Sequence, residues 1–176
     1  MNRLPSLTLL AALIALPAFA QPRPGHGPAK SEVRQARDDY RDAKRVQDAL
    51  SRFDHARSRR DYQQLRRIDS DVLHLIRAEV QESRTELAKD KREVRDSARK
   101  ASYTGRASDR RDVREDRRDV REAKQTVRLV SAIEKDYRRL KGRVDAQSLR
   151  TKRELIVELL AVSRAELDDG RSYGRR

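Results

Sequence analysis

Residues 110–123 read Arg-Arg-Asp-Val-Arg-Glu-Asp and then, seven residues on, Arg-Arg-Asp-Val-Arg-Glu-Ala. A half-buried strand would need apolar residues at alternate positions; this echo instead puts Val113 and Val120 on one line of a helix. Its period of seven is that of a helical seam, not of a solenoid repeat of about 20 to 50 residues. The flanks carry the same signal. No proline follows Pro28, β-branched and aromatic runs bounded by turn residues are missing, and Ala, Arg, Glu, Lys, Leu and Gln dominate. The fold class read from this pattern is all-α.

Few residues punctuate the helices. Gly105 interrupts Ser102-Tyr103-Thr104, and Ser108 with Asp109 behind it reads as a new start. Gly142 stops the next helix, Asp145 is placed to cap the one after it, and Gly170 closes the series. Between His55 and Arg60 there is neither Gly nor Pro, and that break rests on Ser58 as a cap, with Asp61 three residues on. These marks predict four helices near 31–57, 59–101, 108–141 and 146–169, within a bundle spanning 31–169.

Antiparallel neighbours should match apolar residues in mirror order about each turn. Phe53 pairs with Leu65, Leu50 with Ile68, Val46 with Val72, Ala43 with Leu75 and Tyr40 with Ala78. Across the second turn Val80 pairs with Val127, Leu87 with Val120 and Val94 with Val113; across the third, Val127 with Leu159, Val130 with Ile156 and Tyr137 with Leu149. The centre of each set falls on a predicted turn, so the helices should run up and down with short connections. The second and third are the longest and should project as a hairpin over about residues 89–119. Apolar residues thin there to about one per seven, half the density of a coiled-coil seam, and the other seam positions carry Asp90 and Asp116.

Leu, Ile, Val and Phe account for 29 of the 156 residues from Gln21 onward. Such a low share in a highly charged chain disfavours a compact globule and points to an elongated bundle that is marginal alone, oligomeric, or stabilised by a partner. The first 20 residues are set apart from this fold. Arg3 precedes an apolar run from Leu4 to Leu16 and the segment ends Ala18-Phe19-Ala20, the plan of a cleaved signal peptide. Its apolar core is shorter than the roughly 20 residues a bilayer span needs. The expectation is a periplasmic or secreted chain without a membrane span once the leader is removed near Ala20. Residues 21–30, with three Pro and two Gly, read as a tether and residues 170–176 as a basic, flexible tail.

Absence of cysteine excludes disulfides, thiolate metal sites and thiol nucleophiles. A metal site of the bundle type needs Glu-x-x-His on facing helices; the one related spacing is Asp71-x-x-His74, with no counterpart, so no metal or other cofactor is expected. Most acids have an Arg or Lys three or four residues away, the look of solvated helix faces rather than of a catalytic pocket, and no enzyme is expected. Net charge is +14, which favours anionic partners. Specific nucleic-acid binding is not expected, because bases stack on aromatics and the predicted hairpin holds only Tyr103.

The positive charge is ordered. Arg110, Arg114, Arg117, Arg121, Lys124 and Arg128 recur at spacings of four and three and form one stripe, while Asp112, Glu115, Asp119 and Glu122 occupy other faces. Arg34, Arg37, Arg41 and Lys44 repeat the pattern on the first helix. The stripe implies a binding or chaperone-like module for anionic envelope polymers or acidic client proteins. The alternative is a structural spacer or scaffold that forms a homo-oligomer through the sparse apolar stripe.

Overall fold

The computed structural model describes the backbone over residues 30–174 and side chains over residues 37–165. The leader and all of the Pro/Gly-rich tether except Lys30 lie outside the described residues. Four helices make up the rest: α1 (Lys30–Ser58), α2 (Tyr62–Thr104), α3 (Ala107–Leu140) and α4 (Ala146–Gly174). They form an antiparallel four-helix bundle, in which α2 packs most extensively on α3 and α1 on α4, with α1–α2 and α3–α4 contacts closing the ring.

Each turn has a local chemical cause. At the first, Arg60 takes the left-handed conformation at φ 53° that glycine usually supplies. Asp61 N–H donates to Ala56 C=O at 2.9 Å and Arg60 N–H to Arg57 C=O at 3.1 Å, the two bonds of a Schellman ending. Asp61, not Ser58, caps α2, its carboxylate accepting from Gln64 N–H at 2.9 Å. Ser58 instead donates back to His55 C=O as α1 ends. The second turn closes on Gly105 at φ 63°, whose N–H donates to Ala101 C=O at 3.0 Å. Here α3 starts at Ala107 and its N-cap, Arg106, makes no side-chain cap bond, so Ser108 is not the cap. Asp109 faces the other way: it is buried against the tip, accepting from the Thr104 hydroxyl and pairing with Lys100 at 3.0 Å. Those contacts hold its carboxyl below the usual range, the Thr104 bond most strongly.

The third turn follows the sequence reading, with Gly142 at φ 76° and Asp145 accepting from Ser148 N–H at 2.9 Å. The fourth helix does not stop at Gly170 but continues to Gly174. One glycine costs a helix only about 1 kcal/mol relative to alanine, which the flanking turns can absorb.

The core lies toward one end. Phe53, Leu65, Ile68, Val72, Ile76 and Val80 meet Val130, Ile133, Tyr137, Ile156 and Leu159, all with 3 % exposure or less. Each such side chain contributes about 1.5–3 kcal/mol through burial. The residues of the mirror pairs are buried or half-buried here, except for Tyr40 and Ala78, which are exposed. From residue 81 to residue 129 only Ser83 and Asp109 are buried, and Leu87, Val94, Val113, Val120 and Val127 are half-buried. Contacts of Lys152 with Asp69 and of Ser163 with Glu79 show α4 running parallel to α2. At that offset Gly174 comes level with about residue 90 of α2, beyond which α2 and α3 continue for about 20 Å. The hairpin therefore protrudes. Asp69–Tyr137 and Lys100–Asp109 contacts lie within one turn of the register predicted from the valines. A Val94→Cys, Val113→Cys variant is accordingly expected to close a disulfide under mild oxidation, which needs Cα atoms within about 7 Å. Absence of the crosslink on non-reducing gels would put the hairpin in another register.

Candidate functional site

All six residues of the predicted stripe, Arg110, Arg114, Arg117, Arg121, Lys124 and Arg128, are exposed. Among the described residues none of the six sits within ion-pair distance of an acid. Neighbouring arginines do pair: Arg118 with Glu122 at 3.6 Å, and Arg138 with Glu134. The stripe thus differs from an ordinary solvated face, where opposite charges one turn apart neutralise each other. On α1, Arg37, Arg41 and Lys44 are exposed and Arg41 pairs with Asp38; the side chain of Arg34 lies outside the described residues.

The fold divides the stripe. Arg117, Arg121 and Lys124 line a shallow groove of about 400 Å³ between α3 and α2, facing Lys91 and Arg95, with Val94 and Val120 between the two rims. Arg110, Arg114 and Arg128 are not among its lining residues. Sequence reasoning missed Lys91 and Arg95 because it applied the mirror register to apolar residues alone; that register sets Lys91 level with residue 116, beside Arg117. Tyr103 stands at the tip, 85 % exposed.

Acids collect elsewhere on the hairpin. Asp90 and Asp119 have carboxyl pKa values raised first by partial burial and then by neighbouring carboxylates, with Asp116 among them in both cases. Lower on the bundle, Asp39 is pushed up to about 6, by burial first and then by Glu82, Glu86, Asp42 and Asp38. A raised acid adds stability that is complete below its unfolded value near 4 and is lost as pH rises through 6. Its two-unit shift corresponds to about 3 kcal/mol, which solvent screening of this half-exposed group reduces to about 1 kcal/mol. Asp109 and Asp145 act oppositely, since their lowered pKa values add stability that is lost on acidification. The melting temperature should therefore peak near pH 4, falling on further acidification and declining as pH rises toward about 6. Asp39→Asn should raise it at pH 7 and flatten the decline toward neutrality; an unchanged profile in calorimetry would count against the burial of Asp39.

A second polar site lies inside. Lys152 is 0 % and Asp69 1 % exposed, their Nζ and Oδ2 atoms 2.7 Å apart. Asp69 Oδ2 also accepts from Gly142 N–H at 2.8 Å and Oδ1 from the Tyr137 hydroxyl at 3.1 Å, while Lys152 donates to Arg143 C=O at 2.8 Å. Burial, then the adjacent Asp69 carboxylate, raises the Tyr137 phenol well above its usual range and keeps it protonated as a donor. A Cβ on Gly142 would meet nothing within 4 Å, so glycine is required there for its φ, which turns the amide toward Asp69. Neither the α2–α3 groove nor the one between α1 and α2 is lined by any member of this knot. Its chemistry is that of a fastener joining α2, α3, the third turn and α4.

Asp71 and His74 are exposed beside Arg45, Asp48 and Arg52 in an open groove between α1 and α2, and Asp71 pairs with Arg52 at 3.0 Å. Among the described residues no group of three or more His, Asp or Glu is placed to hold a metal ion. No described helix is long and apolar enough to cross a membrane. Comparison with protein-family models, with curated proteins and with solved structures finds no match to this chain.

Proposed function

We propose that this chain is an exported, non-enzymatic binding or chaperone-like module that captures anionic envelope polymers or acidic proteins on the basic face of its hairpin. One observation supports the reading above others: five exposed cations from two helices, Lys91, Arg95, Arg117, Arg121 and Lys124, converge on one groove without an acid among its lining residues. Clustering of like charge costs stability through mutual repulsion, and an anionic ligand relieves that cost. Export to the periplasm or beyond rests on the leader-like segment at residues 1–20.

The test is capture of a labelled polyanion by the chain lacking its first 20 residues, measured across a salt series. Affinity should fall steeply as salt rises, as counterions compete for the groove. Salt-independent recovery of the chain with copies of itself would favour the spacer or scaffold, whose support is the row of half-buried Leu87, Val94, Val113 and Val120.

A further inference from the structure

We infer that the groove on the hairpin is a docking site for an acidic amphipathic α-helix from a partner protein, which would lie along α2 and α3 as the third strand of a short coiled coil. The inference rests on the reading that the hairpin binds anions and narrows it to one ligand shape.

Three features select a helix over a hydrophilic polyanion. The first is the floor. Val94 and Val120 line the groove between the cationic rims, and a fully polar chain would leave them wet. A helix with an apolar ridge covers them, and burial of apolar surface adds to charge pairing. The second is spacing. Arg117 and Arg121 are one turn apart, about 6 Å along the axis, and Lys124 follows at about 4.5 Å. Acids at positions i, i+4 and i+7 of a docked helix repeat those intervals. The third is the deficit in the hairpin itself, which carries about one valine per heptad where a two-stranded coil uses two apolar residues. Ser97, Ala98 and Ala101 on α2 and Ala123 on α3 are likewise only half-buried, outside the residues that line the groove. An additional strand supplies the apolar contact that this seam lacks. No aromatic side chain lines the groove on which nucleic-acid bases could stack.

The experiment uses the full chain without its first 20 residues and three probes. One is a synthetic peptide with Leu and Ala at seam positions and Glu on both flanks; the second has the same composition scrambled to remove the apolar ridge; the third is inorganic polyphosphate. Affinities are measured by fluorescence anisotropy at about 0.15 M salt, where long-range attraction is largely screened. The patterned peptide should bind about tenfold more tightly than the scrambled one, as expected for an apolar ridge buried on two valines. Val94→Thr with Val120→Thr should abolish that preference and leave scrambled-peptide binding unchanged. Lys91→Gln with Arg95→Gln, on an exposed rim that does not bear on folding, should weaken both peptides. Equal binding of the two peptides would overturn the inference while leaving the anion-binding reading in place. Unchanged binding by the Lys91 and Arg95 variant would put the contact outside the groove and overturn it as well. Failure of all three probes to bind would remove the underlying reading too.

Discussion

Replacing Lys152 with methionine is expected to destabilise the bundle by about 3–5 kcal/mol, enough to lower its melting temperature by on the order of 10 °C. The size follows from where the charge would be left. Asp69 is 1 % exposed and holds Lys152 Nζ at 2.7 Å, so removing the ammonium strands a carboxylate that water does not reach. Gly142 N–H and the Tyr137 hydroxyl still solvate it, at 2.8 and 3.1 Å, which keeps the loss from growing larger. The intact pair is a different quantity. Desolvating both ions cancels much of their attraction, so an apolar replacement of the whole knot can be close to neutral. Combining Lys152→Met with Asp69→Leu and Tyr137→Phe should therefore recover a large part of the loss, short of the cost of the orphaned Gly142 amide, roughly 1–3 kcal/mol. Urea denaturation of the three proteins checks this. A Lys152→Met protein within about 1 kcal/mol of the parent would mean that the knot is wet.

Neighbouring helices in the ring do not share this pair: α2 and α4 make no extensive contact of their own, and the pair crosses the interior between them. Weaker ties lie outside it. Arg153–Asp54 at 2.8 Å, Arg52–Asp71 at 3.0 Å and Arg77–Glu134 at 3.3 Å bind successive helices on the surface. Exposed ion pairs of this kind contribute about 0–1 kcal/mol each, so α4 owes its register to the core and the knot.

Reversing charge at Arg117, Arg121 and Lys124 should have the largest effect on binding. Each cation that no longer neutralises a ligand charge removes roughly 0.7–0.9 from the slope of log affinity against log salt, so the triple reversal flattens it by about 2–3. At low salt the affinity for a polyanion should drop on the order of a hundredfold or more, since reversal adds repulsion to the missing attraction. Helicity should be almost unchanged, because the three side chains are exposed and such positions seldom shift stability by more than about 0.5 kcal/mol each. The same reversal at Arg110, Arg114 and Arg128 is the control. Those residues belong to the stripe but not to the groove, and should cost distinctly less. Equal losses from the two triplets would make the ligand follow the whole α3 stripe. No loss from either would discard the hairpin as the binding element.

Four helices, their up-and-down order and, to within a turn, the register of the hairpin were legible in the sequence because they depend on local events. A period of seven, a glycine free to take positive φ at 105 and 142, and an Asp three residues before an amide to cap, as at Asp145, each act within one or two turns of chain. Where the structure departs from the sequence reading, a residue has stepped into an unusual role. Arg60 adopts the conformation normally left to glycine, so that turn had no glycine to mark it. Asp109 lies in the first turn of α3, where the sequence placed a helix start, and in addition serves as a staple across the tip.

A hint of the knot was present: Lys152 falls on the same helix face as Leu149 and Ile156, and Asp69 lies among Leu65, Ile68, Val72 and Leu73. Two opposite charges at core positions of different helices could have been paired from that pattern. Sequence alone determined the helical period, the turns and the excess of positive charge, since each is set by neighbours along the chain. Tertiary structure alone decided that Asp69 meets Lys152, 83 residues away, and that Lys91 and Arg95 share a groove with half of the α3 stripe. Those outcomes depend on how each helix is rotated about its axis once packed, and that rotation is chosen by the combined burial of side chains from all four helices.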